Sequence, residues 1–574
     1  MSRVTQAVAL RTSKALLRGL SRKNMNKLIC RTYFAGGTKS AHNHSFRKSG
    51  LFGSGKELNY AFVGGGLLVL TYSYLSPNSV VSLDTVKGLR QFTSSASDGR
   101  SDGQGAGSVG NSGGSSGGNG GSGSGDGESI MLLSDNEVNT KLTNRQESYL
   151  VERGKGILRY DISQLPSNNP IEDNHVEQIV TVPSTTATGQ TQEEDLSFFG
   201  VFDGHSGAFT SSRLAKDLVQ YVAHQLGQVY SQGVDILSSS EKMDGAIEKG
   251  FLTLDNDIVY GSLKALFHSP SKETMIAALP AISGSCALLS IYNSADSTLK
   301  VALTGDSRAL LCELDNENNW FVRSLSTDQT GDNSSEVERV RSEHPGEPNA
   351  VRNGRILGSL QPSRAFGDYR YKIKDIDGKT LSELPEHLRI YFRSKPRDFL
   401  TPPYVTAKPE ITTTKIGPNS KFMVIGSDGL FELLSNEEVA GLVVRWMESN
   451  MSPKVPCDFP KGKLPEVKDI STHSESMRPA FRYKQQKGGK NTAEYLLEDK
   501  NVATHLIRNA LSSGGNKEYV STLVSIPSSL SRKYRDDLTV TVVFFGESSG
   551  QQPSDVDGTI ILNNDATTPP KPKL

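Results

Sequence analysis

Phe198-Phe199-Gly200-Val201-Phe202 is an apolar run of strand length that stops at Asp203-Gly204-His205. A buried strand ending this way delivers polar groups to a sheet rim, where functional residues tend to sit. The glycine lets the backbone turn tightly and brings its carbonyl close to whatever the acid binds. A carboxylate beside a backbone oxygen is a hard-cation ligand pair, suited to Mg or Mn rather than zinc. Taken alone, the stretch also fits an ordinary Asp-Gly turn capped by a satisfied histidine.

The pattern recurs. Glu172-Asp173 precedes the apolar-polar run 175–182, and Gly305-Asp306-Ser307 turns between two apolar runs. Asp428-Gly429 ends the run Val424-Ile425, and Asp536-Asp537 opens the run 538–545. Each acid alone reads as a turn or a solvated pair. Several at the rims of buried strands would repel one another and raise one another's pKa. Bound divalent cations remove that cost, and two cations sharing one bridging carboxylate would account for the number of acids.

The elements that must hold these residues are legible around them. Strand-like runs cover 285–292, 300–303, 308–311, 422–425 and 538–545, the last rich in Val, Thr and Phe as a sheet strand should be. Leu214, Leu218, Val222 and Leu226 recur every fourth residue and predict a helix over 208–230. Ser435 with Glu438 three residues on is a capping box that opens a helix through Val444, and a further helix is expected over 501–511. Strands in antiparallel runs with grouped helices indicate an α+β fold, sheets flanked by helices.

The chain has 574 residues, and its 63 basic residues balance 63 acidic ones, so no net field argues for nucleic acid. Cys30, Cys286, Cys312 and Cys457 are scattered, form no CxxC, and have no arginine six residues on. A disulfide framework and a thiolate phosphatase of the Cys-x5-Arg type are therefore excluded.

The two ends differ from the middle. No acidic residue precedes Glu57, and Arg3, Arg11, Lys14, Arg18, Arg22, Lys23, Lys27 and Arg31 interleave with leucines at helical spacing. Residues 1–50 thus read as a mitochondrial presequence. Residues 60–75 are uncharged and apolar but short of the roughly 20 residues that span a bilayer. They are a candidate inner-membrane anchor or sorting signal, with basic residues on the N-terminal side. A spanning segment would put the rest of the chain in the intermembrane space, and a non-spanning one in the matrix. Residues 101–128 are nearly all Gly and Ser, a flexible tether. One domain is expected over 130–546, with a polar tail over 547–574 whose final Pro572-Lys573-Leu574 is a loose cousin of a peroxisomal address.

The motifs Asp203-Gly204-His205, Gly305-Asp306-Ser307-Arg308, Ser427-Asp428-Gly429 and Arg535-Asp536-Asp537-Leu538-Thr539 resemble the metal-dependent Ser/Thr protein phosphatases, protein phosphatase 2C, in order and spacing. More narrowly, 164–173, Glu343-His344-Pro345, 355–368 and 501–510 resemble the pyruvate dehydrogenase phosphatase branch, which is mitochondrial. The resemblance implies a central sandwich of two antiparallel sheets between helices. It makes Asp203 the bridging metal ligand and the Gly204 carbonyl a second. Glu172 would complete one metal, Asp428 and Asp536 the other, and Asp306 would hold a weaker third ion with Asp428. The ions would be Mg2+ or Mn2+, two per site. Asp173 would orient the attacking water, and His205 would protonate the leaving serine oxygen, as a histidine near neutrality can. The implied substrate is a phosphoprotein, pyruvate dehydrogenase E1α or another in mitochondria.

Two positions depart from the family pattern. Many relatives carry a phosphate-gripping arginine four residues before the first glutamate, where this chain has Asn168. Ser206 stands where a smaller Gly or Ala is usual. A catalytically dead scaffold of the same fold is the alternative, but such proteins usually lose metal acids and none is missing here. A two-metal phosphodiesterase or nuclease is disfavoured by the neutral charge and the lack of a basic-aromatic stripe. The segments 372–403 and 447–493 carry no readable chemistry; loops of that length are usually functional or disordered.

Overall fold

The computed structural model describes residues 80–82, 129–151, 156–185, 191–231, 239–317, 319–451, 471–472, 495–546 and 561–562. The segments 1–50, 60–75 and 101–128, nearly all of the tail 547–574, and most of 447–493 lie outside the described residues. Among the described residues no helix is long and apolar enough to cross a membrane.

In chain order the strands that build the core are β1 (Gln146–Leu150), β2 (Gly156–Leu165), β3 (Asn174–Thr185) and β4 (Thr191–Phe202). A short β5 (Gly204–His205), helix α1 (Phe209–Ser231) and helix α2 (Ser240–Asn256) follow. Then come β6 (Gly284–Ser285), β7 (Ala287–Asn293), β8 (Thr298–Thr304), β9 (Arg308–Leu314) and β10 (Trp320–Ser324). After β11 (Phe366–Gly367) the chain forms β12 (Glu410–Lys415), β13 (Ser420–Gly426), α3 (Asn436–Asn450), α4 (Val502–Leu511) and β14 (Leu538–Gly546).

One sheet runs β12-β8-β7-β4-β3 and the other β10-β9-β13-β14-β2-β1, every one of these pairs antiparallel. Two-residue strands at 471–472 and 561–562 extend the second sheet at its edges, pairing in parallel. Successive side chains of a strand face opposite ways, and both faces of the central strands are covered, which is why β7, β8, β13 and β14 read as largely apolar runs while the edge strand β12 is polar and exposed. In β4, Phe199 and Val201 enter the core between the sheets with Tyr160, Leu311, Met423 and Val543. Phe198 and Phe202 point the other way, against Leu214, Leu218, Val222 and Phe251 of α1 and α2. The far face of the second sheet packs Phe422, Val424, Val540 and Val542 against Trp446 of α3 and Leu506 of α4. The result is the expected two-sheet sandwich between helices.

The predicted elements appear with small shifts of boundary. The helix expected over 208–230 is α1, and the capping box at Ser435 is formed, with α3 continuing past Val444 to Asn450. Asn501 caps α4 by accepting from the Thr504 amide. The segment 372–403 is folded, with Ile373, Ile376, Leu384 and Leu388 buried in the α1–α2 core.

Candidate metal centre

Strand register brings the acids to one rim. Asn174 pairs with Phe202, so the start of β3, with Glu172 and Asp173 just before it, lies beside the end of β4 and Asp203. The β8–β9 turn holds Asp306, and Arg308 at its far side pairs with Gly426, two residues before Asp428. Gly426 pairs in turn with Val540, and Leu538 with Leu165, which puts Asp536 and Asp537 at the same end.

Asp203, Asp306 and Asp428 each turn a carboxylate oxygen into a volume where all three lie within 4.8 Å of one another. The Asp428 amide donates to Asp203 Oδ2 at 3.3 Å. Burial pushes the Asp203 carboxyl well above the usual range, and the charges of Asp428, Asp173, Asp536 and Asp306 add to it. Burial does the same to Asp536, reinforced by Asp428 and only partly offset by Arg532. Asp173, fully enclosed, is pushed up to about 8 by burial and then by Asp537, although Thr539 Oγ1 donates to its Oδ2 at 2.8 Å. Carboxylates crowded so that they raise one another's pKa, with Arg532 offsetting them only in part, are short of positive charge, and an all-oxygen set of this kind fits a hard divalent cation.

Glu172 sits a little apart, with Oε1 accepting from the Gly207 amide at 2.5 Å and burial raising its pKa. Gly204 lies under it: a Cβ there would collide with the Glu172 carbonyl, so only glycine permits this approach. His205 is half-buried, and its Nε2 meets Asp368 Oδ2 at 2.7 Å. Burial would lower the histidine's pKa, but the charge and hydrogen bond of Asp368 outweigh it and the pKa rises. Gly284 is needed beside this pair, because a side chain there would strike both His205 and Asp368.

Three neighbours were not singled out from sequence. Asp368 lies 163 residues from the histidine it touches. Its φ of 52° is unusual for a non-glycine and would be the structural flag of a special position. Asp537 fastens the loop that carries Glu172: its oxygens accept from the amides of Ser167, Asn168 and Glu172. The doubled acid Asp536-Asp537 was the signal, with one member for the site and one for the loop. Asn168 is spent on this scaffold, donating to Asp537 at 3.0 Å and to Glu172 at 3.4 Å. Arg393, from the segment 372–403, donates to Ser206 Oγ at 3.1 Å. Nothing in its own stretch announces that contact.

Residues 168–459 match the family model described as protein phosphatase 2C. The mitochondrial pyruvate dehydrogenase (acetyl-transferring) phosphatase 1 of Saccharomyces cerevisiae is 56% identical, the match covering 100% of both chains. A protein phosphatase 2C homolog of Schizosaccharomyces pombe is 38% identical over 72% of this chain and 86% of its own. The mitochondrial pyruvate dehydrogenase (acetyl-transferring) phosphatase 1 of Bos taurus is 30% identical over 72% of this chain and 83% of its own.

Proposed function

The chain belongs to the protein phosphatase 2C family, and from that premise we propose how its residues divide the work and which phosphoprotein it serves. It is a metal-dependent protein serine/threonine phosphatase. The observation that carries the site reading is the crowding of the Asp203, Asp306 and Asp428 oxygens within 4.8 Å of one another. Asp203 and the Gly204 carbonyl would hold the cations in common; Glu172 would contribute to one of them, Asp428 and Asp536 to another, and Asp306 with Asp428 to a weaker third. Mg2+ and Mn2+ both accept such oxygens.

When bound, paired cations supply the charge that acidifies a water and neutralises the phosphoryl oxygens. The chain's own residues do the rest. Asp173, held by Thr539, orients the attacking water from the floor of the site. His205, kept in its protonated form by Asp368 at Nε2, gives up a proton from its other ring nitrogen to the departing serine or threonine oxygen. Asp537 keeps Glu172 in place by holding the loop before it.

The names of two relatives support phosphorylated pyruvate dehydrogenase as the substrate and mitochondria as the location, and within that enzyme the E1α subunit is the target we infer. Residues 1–50 serve as presequence, 60–75 as a sorting or anchoring segment, 101–128 as tether, 130–546 as the phosphatase domain and 547–574 as tail. The test is release of phosphate by the full chain from a phosphorylated E1α peptide and from an unrelated phosphoserine peptide, with Mg, Mn or EDTA. Metal-dependent turnover that prefers the first peptide is expected. Equal rates on both would remove the substrate assignment, and no turnover in either metal would leave the scaffold alternative standing.

A further inference from the structure

A phosphate monoester brings two negative charges to a rim already crowded with carboxylates. Neutralising it takes more than the cations those acids bind, and a guanidinium is the side chain best shaped for phosphate oxygens. Asn168 is neutral and tied to Asp537 and Glu172. Arg532 stands near, but it pairs with Asp536. Arg393 is different. It is exposed, makes no ion pair with a carboxylate among the described residues, and its Nη1 reaches Ser206 Oγ at 3.1 Å. Ser206 lies between His205, which meets Asp368, and Gly207, whose amide binds Glu172.

The backbone behind this arginine is built in. The Arg393 carbonyl accepts from the hydroxyl of Tyr369 at 2.7 Å, and the Phe392 ring meets the Tyr369 ring edge-on at 5.3 Å. Tyr369 is 1% exposed and directly follows Asp368. The residue that anchors Arg393 is thus the neighbour of the one that holds His205. Ser206 adopts φ of 62°, a left-handed conformation that glycine would take more cheaply. That conformation turns its hydroxyl toward the Arg393 guanidinium, from which it accepts at 3.1 Å.

We propose that Arg393 is the phosphate-binding cation of this site, supplied by the segment 372–403, and that Ser206 holds it ready. The inference rests on the phosphatase reading and adds a residue to it. Phosphate entering between the metal acids and His205 draws the guanidinium from Ser206 Oγ to the phosphoryl oxygens.

The test compares wild type, Arg393→Ala, Arg393→Lys and Ser206→Ala in the full chain with Mn, on a phosphoserine peptide. Binding of inorganic phosphate and of Mn alone is measured beside the kinetics. Arg393→Ala should raise KM about tenfold or more and weaken phosphate binding by a similar factor. Mn affinity and Tm should stay at the wild-type values, the lysine variant should recover part of the loss, and guanidinium ion should restore activity to the alanine variant. Ser206→Ala should raise KM by about threefold, less than Arg393→Ala, and an unchanged KM would remove Ser206 from the proposal. Unchanged phosphate binding in Arg393→Ala would overturn the proposal. Equal losses of phosphate and Mn affinity would overturn it too, marking a structural role. An inactive wild type would sink the phosphatase reading, while inorganic phosphate binding would still decide the part played by Arg393.

Discussion

Two groups of acids shielded from solvent, one around Glu336 and one at the rim, are treated in opposite ways. Glu336, in the helix Ser334–Glu343, is only 2% exposed yet its carboxyl is drawn down to about 2. Burial alone would raise it. Hydrogen bonds from Arg364, Arg339 and Ser363 outweigh burial, with Arg364 Nη2 at 2.6 Å and Arg339 Nη2 at 2.8 Å. Asp328 likewise takes both forks of Arg308, at 3.1 and 2.8 Å. At the rim, Asp203, Asp173 and Asp536 have one another for neighbours, and burial raises all three. Acids that serve the fold bring their cation in the sequence. Among the acids that serve the site Asp536 has Arg532 beside it, yet burial and the neighbouring carboxylates prevail, and the group takes the balance of its positive charge from solution.

The largest effect that would break this contrast comes from Asp203→Asn. We expect kcat to fall by on the order of 10³, about 4 kcal/mol of barrier, because the variant loses the ligand that gathers the cations. Its Tm in EDTA should equal or exceed that of wild type, since one repelling charge is gone. A variant that unfolds in EDTA would mean that Asp203 is structural, like Glu336. The mirror experiment is Glu336→Gln, which takes the shared buried anion from Arg364 and Arg339 and leaves each only its outer partner, Glu410 or Glu343. Removing one partner of a buried ion pair costs about 3–5 kcal/mol. Urea unfolding should register that loss while Mn affinity stays within twofold.

How much of the contrast could be read from the chain depends on distance along it. The rim acids announce themselves locally, because Asp203-Gly204 and Asp428-Gly429 each interrupt an apolar run and Gly305-Asp306 joins two. Apolar runs locate the strands, and the four-residue period of Leu214, Leu218, Val222 and Leu226 locates α1, for the same reason. The helix α2 was not read, since Gly245 and Gly250 depress helix propensity in it. Packing explains the second glycine: a Cβ at Gly250 would sit 2.9 Å from Val222 of α1. Tertiary pairs are silent in sequence. Neither Asp368 with His205 nor Arg364 with Glu336 could be inferred from spacing, and the segment 372–403 shows its purpose only where Arg393 emerges at Ser206.

Cation binding sharpens the comparison from outside the chain. A ligand that binds the folded state alone stabilises it by mass action, about 2.7 kcal/mol at a hundredfold excess over Kd. Mn should therefore raise the Tm of wild type and of Glu336→Gln by similar amounts, and that of Asp203→Asn by little. A shift in Asp203→Asn as large as in wild type would place the stabilising cation elsewhere.

The smallest effect is the slope of stability with pH, and here the two groups pull in opposite directions. In the folded, cation-free protein Asp173 holds its proton to about 8, against roughly 3.9 for an unfolded aspartate. The folded state then binds more protons, so its stability is fully present below the unfolded value and is lost as pH rises toward 8. Each excess proton tilts the curve by about 1.4 kcal/mol per pH unit. Glu336 contributes the reverse: its stabilisation is full above the unfolded glutamate value of roughly 4.3 and disappears as pH falls toward about 2. Urea midpoints in EDTA should thus fall between pH 5 and 8, and saturating Mn should flatten that limb by ionising the rim acids for ligation. Glu336→Gln should flatten only the acid limb. A cation-free protein whose stability is level from pH 5 to 8 would mean that the rim acids already have their positive charge, and the division between the two groups would fail.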